Sequence, residues 1–388
     1  MARTTTAGTS AAPDSGGRTV ADLVTAMDRL APPSLAESWD NVGLLLGRHG
    51  DPVSKVLLCI DLMPEVVDEA VAREVDAVVA YHPPIFSGLK SITDATPQNA
   101  SLLTLIQAGI AVYSPHTAAD AATGGVNDWL ADGLGTGTRE AIHPAEVLPS
   151  SERFKLVTFA PATAIDAIRD AMSAAGAGRI GDYEACSTET DVVGTFRGLE
   201  GTAPAVGRAG VFESVHERRL EMVCGAAGLA AAIAALRDAH PYEEPPIEVH
   251  PLAGRPDPTI GAGRLVTLDR PATVRTLVDR LRDHLGTDRF SVHEPDRRRK
   301  HAVIGLCAGS GAELMPAAFD RGATLFLTGE LKHHDVLDAG RRDAAVILAG
   351  HTNTERGWLK VLRKKLRQAM PGVEIGISKA DRDPLRAV

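Results

Sequence analysis

Aromatic residues are scarce in this 388-residue chain, at 4%, so its core has to be built mainly from aliphatic and alanine side chains. Cysteine is nearly absent: Cys59, Cys186, Cys224 and Cys307 lie far apart and form no C-x-x-C pair. That excludes a disulfide framework or a thiolate zinc knuckle, and Cys59, Cys224 and Cys307, set in apolar stretches, read as small buried hydrophobes of a reducing compartment. An excess of basic charge is missing too. Lys and Arg number 41 against 50 Asp and Glu, a net charge of −9, which disfavours a phosphate-gripping face and argues against nucleic acid as the main partner. The single basic run, Arg297-Arg298-Arg299-Lys300, follows Glu294-Pro295-Asp296 and reads as a solvated turn. No long apolar run is present: Gly225 to Leu236 is too short and alanine-rich to cross a bilayer. Residues 1–17 lack the apolar centre of a signal peptide and read as a disordered tail. The expectation is a cytoplasmic protein with no membrane partner. Neither G-x-x-x-x-G-K-[ST] nor G-x-S-x-G occurs, so a P-loop and a serine-hydrolase elbow have no support.

What is present is an alternation of short apolar strands and helices. Lys55–Ile60, Asp76–Ala80 and Ile110–Tyr113 read as strands, with helices over 64–73, 99–108 and 126–131. From Gly261 onward the rhythm returns, with strands at 301–306, 324–328 and 345–349 and helices at 312–319, 332–339 and 354–366. Such order predicts a largely parallel sheet covered on both faces. Residues 133–154, with Gly133, Gly135, Gly137, Pro144 and Pro149, break the pattern. Between 155 and 252 the order is β-α-β-β-α-β with an irregular middle. The predicted architecture is a split α/β domain (18–135 and 255–388) interrupted by an inserted ferredoxin-like α+β domain (155–254), with 136–154 as linker.

Four places put metal-ligating side chains just after predicted strands: His82; His116 and Asp120; Glu330 with His333 and His334; and His351. In open α/β sheets ligands bind at the carboxyl ends of strands, so distant segments can deliver these groups to one crevice. His351 and Glu355 lie four apart where a helix opens, a spacing that shares one face; together they chelate a cation, or separately one caps the helix and the other is solvated. Asp120 is equally readable as the N-cap of the helix near Val126, and His82, fixed by Pro83 and Pro84, as structural. A mixed imidazole and carboxylate set suits Zn²⁺, Mn²⁺, Fe²⁺, Co²⁺ or Ni²⁺. Gly309-Ser310-Gly311, between a strand and a helix, reads either as a tight turn or as a backbone anion site.

The segments SWDNVGL (38–44), YHPPIF (81–86), HTAADAATGGVND (116–128), GAGRIGDYEACS (176–187), HPYEEP (240–245), TGELKHHD (328–335) and GHTNTE (350–355) resemble, in order and spacing, the Nif-three-like family, the GTP cyclohydrolase 1 type 2 homologs. The resemblance implies a two-part α/β domain holding two divalent metal ions, an inserted PII/CutA-like domain, and a toroidal homohexamer. It places the metal ligands on His82, Asp120, His351 and Glu355, with Glu355 bridging; for a hydrolase, His116 or His334, as an unliganded imidazole near the metals, is the candidate catalytic proton shuttle. Many members have two adjacent histidines where this chain has Tyr81-His82, and a protonated phenol is a poor ligand. The implied activity is metal-dependent hydrolysis of GTP, a related nucleotide or a phosphoester; the other reading is a non-enzymatic metal-binding regulatory or scaffold assembly.

Overall fold

The computed structural model describes residues 17–385. Of the expected N-terminal tail, residues 1–16 lie outside the described residues. The chain divides into two compact units, residues 1–145 with 257–388, and residues 146–256.

Two large sheets build most of the larger unit. In the first, the strands Glu374–Ile377, Lys55–Cys59, Ala77–Ala80 and Ala111–Ser114 run parallel in that spatial order, with Gly43–Leu46 antiparallel at the edge. In the second, His301–Ser310, Leu325–Glu330 and Ala345–Leu348 are parallel neighbours. Ser291–His293 closes one side and Arg264–Ala272 with Gly137–Glu140 the other, all antiparallel.

Strand side chains alternate between faces, and both faces of each sheet are buried. Val56 and Leu58 face one core while Leu57 and Cys59 face another, where the helices Pro64–Ala72 and Pro97–Ala108 supply Val66, Val67 and Leu105. The first core is shared with the second sheet through Ile304, Leu306, Leu325, Leu327 and Ile347, and with Trp129, Leu277, Leu281, Leu362 and Leu366 from the helices Val126–Asp132, Val274–Leu285 and Trp358–Ala369. Each fully buried aliphatic side chain of this kind contributes about 1.5–3 kcal/mol. This common core brings the carboxyl ends of the parallel strands of both sheets to one place.

The smaller unit is one antiparallel sheet with the spatial order Ile247–Pro251, Phe154–Ala160, Phe212–Cys224, Ser187–Arg197. The helices Ile165–Ala174 and Leu229–Ala239 cover it through Ile168, Met172, Ala232 and Leu236, packed on Leu156, Leu220 and Met222.

Several local expectations change. Residues 136–154 are not a featureless linker: Gly137–Glu140 is the edge strand of the six-stranded sheet, and His143–Val147 is another strand. An edge strand half open to water carries little hydrophobic period, and Gly137 is needed because a Cβ there would lie 2.1 Å from the Thr267 carbonyl oxygen. The irregular middle of the smaller unit belongs to a hairpin of two long strands, Ser187–Arg197 and Phe212–Cys224, the second longer than the expected 219–224 and the first hidden by its polar run Ser-Thr-Glu-Thr-Asp. The helix read at 354–366 is two helices, Asn353–Arg356 and Trp358–Ala369. No helix among the described residues is long and apolar enough to cross a membrane.

Candidate metal centre

The strand Ala77–Ala80 delivers Tyr81 and His82; the strand Ala345–Leu348 leads through Ala349-Gly350 to His351. Glu355 lies in the short helix Asn353–Arg356, buried at 2% exposure. His82, His351 and Glu355 each offer a ligand atom within 4.8 Å of the others. His82 Nε2 is 3.6 Å from Glu355 Oε2, and His351 Nε2 is 3.4 Å from Glu355 Oε1.

Both imidazoles are oriented from behind. His82 Nδ1 sits 2.8 Å from Asp61 Oδ1, and His351 Nδ1 sits 3.0 Å from Glu330 Oε1. A carboxylate on Nδ1 makes that nitrogen the donor and leaves Nε2 with a free lone pair, the arrangement that metal-binding histidines use. Asp61, which ends the run after the strand Lys55–Cys59, had no role in the sequence reading, although it obeys the same strand-end rule as His82 and His351.

The donor chemistry fits a divalent cation. Glu355 Oε2 is buried and has no hydrogen-bond partner among the described residues, a costly state for a carboxylate oxygen unless a cation faces it. Burial works against a charged His82, yet the nearby carboxylates of Asp61 and Glu355 raise its pKa to about 10; the cluster attracts positive charge, whether a proton on Nε2 or a cation in its place. Gly309, at φ +63°, passes directly beside it, and a Cβ there would lie 2.7 Å from Glu355 Oε1 and 3.1 Å from His351 Nε2. Two imidazoles and one carboxylate are the protein ligand set of one class of catalytic zinc site and of non-haem iron sites, both with open positions.

Glu355 and His351 also line a cavity of about 330 Å³, with Tyr81, His116, Asp120, Cys307 and Gly309. Asp120 is not a helix N-cap: it lies inside the helix His116–Ala121, and its Oδ1 accepts a hydrogen bond from the Tyr81 hydroxyl at 2.5 Å. Burial raises the Asp120 carboxyl to about 7 against the opposing Tyr81 hydrogen bond, and the charge of Glu355 pushes it the same way as burial. His116 opens that helix with φ +25°, a strained conformation for an L residue. Its Nδ1 is 2.8 Å from Asp40 Oδ1, and Asp40 also accepts from the Thr117 backbone N–H and hydroxyl. Burial disfavours the Asp40 charge, but the hydrogen bonds from His116 and Thr117 prevail and hold it near a pKa of about 2. The Asp40 side chain carries the SWDNVGL segment into the site, a role the sequence reading did not give it.

His334 is placed elsewhere. It is exposed in the first turn of the helix His333–Arg341, stacked edgewise on His333, and is not among the residues lining the cavity. The chain turns outward after Glu330, so adjacency in TGELKHHD does not bring it inward. Gly309 and Gly311 form no anion cradle either: their N–H groups donate to the hydroxyls of Thr354 and Thr328.

The model of the Duf34/NIF3 (NGG1p interacting factor 3) family matches residues 18–384. The chain belongs to the Duf34/NIF3 family. A GTP cyclohydrolase 1 type 2 homolog of Bacillus subtilis (strain 168) is 32% identical over 367 residues, covering 93% of this chain and 96% of the relative. NIF3-like protein 1 of Mus musculus is 35% identical over 381 residues, covering 94% and 92%. Among solved structures, a Bacillus cereus protein related to NIF3 superposes with a TM-score of 0.71 at 30% identity, covering 96% of this chain and all of that one. A Staphylococcus aureus protein gives 0.79 at 26% identity, covering 96% and 99%. Within this Duf34/NIF3 chain, the residues that converge are therefore those of YHPPIF and GHTNTE, with HTAADA walling the cavity beside them.

Proposed function

We propose that this Duf34/NIF3 protein binds a divalent metal ion at His82, His351 and Glu355 and uses it to hydrolyse a nucleotide or related phosphoester, in the manner its GTP cyclohydrolase 1 type 2 relatives are named for. The observation that carries this is the Glu355 carboxylate, buried without a hydrogen-bond partner for Oε2 and flanked by two imidazoles held from behind by Asp61 and Glu330. When bound, such an ion supplies Lewis acidity, polarising a carbonyl or phosphoryl oxygen and acidifying water.

The remaining residues have roles set by position. Asp61 and Glu330 fix the ring planes and the Nδ1–H tautomers. His116, with Nδ1 engaged by Asp40, keeps Nε2 as the atom that takes or gives a proton at the cavity wall. Trp39 and Phe86, both more than half exposed with ring centroids 5.8 Å apart, stand next to His116 and offer flat apolar faces on which a purine can stack. The β-α-β-β-α-β order of residues 146–256 supports reading that unit as ferredoxin-like. A homohexamer is proposed from the family resemblance, and the mass of the assembly in solution tests it.

The test is purified metal-loaded protein incubated with GTP and with a generic phosphodiester, reading formate or alcohol release. Turnover that disappears in Glu355→Gln together with the bound metal is the expected result. A fully loaded protein that turns over neither compound sinks the hydrolase and leaves the metal-binding assembly.

A further inference from the structure

The cavity beside the cluster contains a further carboxylate, Asp120, that does not join it. Asp120 is absent from the group of converging donors, although Asp120, His351 and Glu355 line the same space. What engages it is Tyr81. The phenol donates to Asp120 Oδ1 at 2.5 Å, and its ring is 2% exposed. The ring is also wedged: its centroid lies 5.0 Å from His82, 5.6 Å from His116 and 6.3 Å from Trp358. In a packed interior a side chain so surrounded does not swing aside to release its partner. The residue immediately before a metal-binding histidine is thus spent on a hydrogen bond.

A second cation beside the first requires further donors on the Asp120 side of Glu355. Tyr81 offers a neutral hydroxyl there, and Asp120 Oδ1 is taken by it. An ordinary phenol keeps its proton at neutral pH and ligates weakly, and the Tyr81 hydrogen bond leaves only Oδ2 of the Asp120 carboxylate for a second ion. Cys307, the sulfur on the cavity wall, is a thiol whose ordinary pKa lies above neutrality. Neither group supplies an anionic ligand. The side that faces His82 and His351, by contrast, has two oriented nitrogens and an oxygen without a hydrogen-bond partner.

We infer that this chain holds one metal ion per subunit and not the two that the family resemblance implies, the Tyr81–Asp120 hydrogen bond filling the second seat. The inference rests on the metal reading of the site given above and specifies it. In this arrangement Tyr81 and Asp120 are positioning residues that shape the wall opposite the ion. One ion with three protein ligands leaves coordination positions open to water and substrate, whereas a two-ion clamp would use Glu355 as its bridge.

The experiment is metal counting on the intact chain. Protein stripped with a chelator is titrated with Zn²⁺ and its bound metal measured by elemental analysis; a parallel Mn²⁺ titration is read by electron paramagnetic resonance. Wild type should saturate at one ion per chain, with the six-line spectrum of an isolated Mn²⁺. Tyr81→His, which places a nitrogen next to a released Asp120, should saturate at two, with a spin-coupled spectrum. Two ions in the wild type overturn the inference while leaving the metal reading intact. A folded Tyr81→His protein that stays at one overturns the role given to Tyr81. No bound ion in the wild type overturns the metal reading and this inference with it. Since the wild-type count needs no variant, poor folding of Tyr81→His does not blunt the test.

Discussion

His82 Nε2 and Glu355 Oε2 face each other at 3.6 Å, although one follows a strand of the first sheet and the other a strand of the second. The contact depends on Asp61, which holds the opposite side of the His82 ring at 2.8 Å. Replacing Asp61 by Ala should therefore weaken metal binding about 10- to 100-fold, the usual effect of removing an outer carboxylate, without changing the number of ions bound. Isothermal titration of the stripped protein with Zn²⁺ measures this. Unchanged affinity would mean that the ring is held by packing alone.

Gly309 gives a second, steric handle on the same cluster. Its φ of +63° costs an L residue about 1–2 kcal/mol, and a methyl group at that position would press on Glu355 Oε1 and His351 Nε2. Gly309→Ala should lower the melting temperature by a few degrees and the metal affinity by at least tenfold, because the two donors cannot keep their spacing. Thermal unfolding with and without saturating metal checks both, since the stabilisation given by metal should shrink in the variant.

How much of this was legible in the sequence depends on the interaction concerned. His82, His351 and Glu355 were readable because strand ends in parallel sheets converge, a rule that needs only the order of strands; Asp120 lines the cavity beside them without joining them. Asp61 obeys that rule and was still passed over, since no motif marks a single Asp after Lys55–Cys59. Asp40 was not readable, because its contact with His116 joins a loop to a helix across 76 positions and leaves no local period. The strand Gly137–Glu140 escaped because pairing at a sheet edge is decided by backbone hydrogen bonds to Leu265–Leu268 and not by its own side chains. His334 is close in sequence to Glu330, but it is exposed and outside the residues that line the cavity, so nearness along the chain alone does not place it beside the cluster.

Asp40 makes a prediction about acid. Its carboxyl falls from an ordinary 3.8 to about 2 because His116 and Thr117 stabilise the charged form against the cost of burial. A group depressed on folding adds stability above its unfolded value, and that stability drains away as pH falls through the folded value. The window is thus pH 4 down to 2, and the shift corresponds to about 2 kcal/mol. Asp40→Asn should flatten the stability profile in this window relative to wild type, measured by urea unfolding at successive pH values. Its effect on turnover should match that of His116→Ala, a loss of about 10²- to 10⁴-fold with metal content unchanged.

The segment that carries Asp120 is anchored by a buried cation. Arg264, 1% exposed, places Nε 2.7 Å from Asp128 Oδ1 and donates its remaining N–H groups to the carbonyls of Ala121, Ala122, Gly261 and Gly263. A buried pair of this kind is a weak source of net stability, but breaking it strands the partner charge and four carbonyl oxygens. Arg264→Ala should cost about 3–5 kcal/mol, well beyond the loss of an exposed pair such as Arg341–Asp338. Arg264→Lys should recover little of it, because an ammonium cannot reach carbonyls on both sides of the guanidinium plane. Urea unfolding of the two variants decides the point: a Lys variant as stable as wild type would show that charge alone, and not the planar fork, holds the 121–128 segment in place. Because that segment continues directly from Asp120, which walls the cavity and does not hold the ion, folded variants should keep their metal affinity within a few-fold, and a larger loss would mean that the anchor reaches His82, His351 and Glu355.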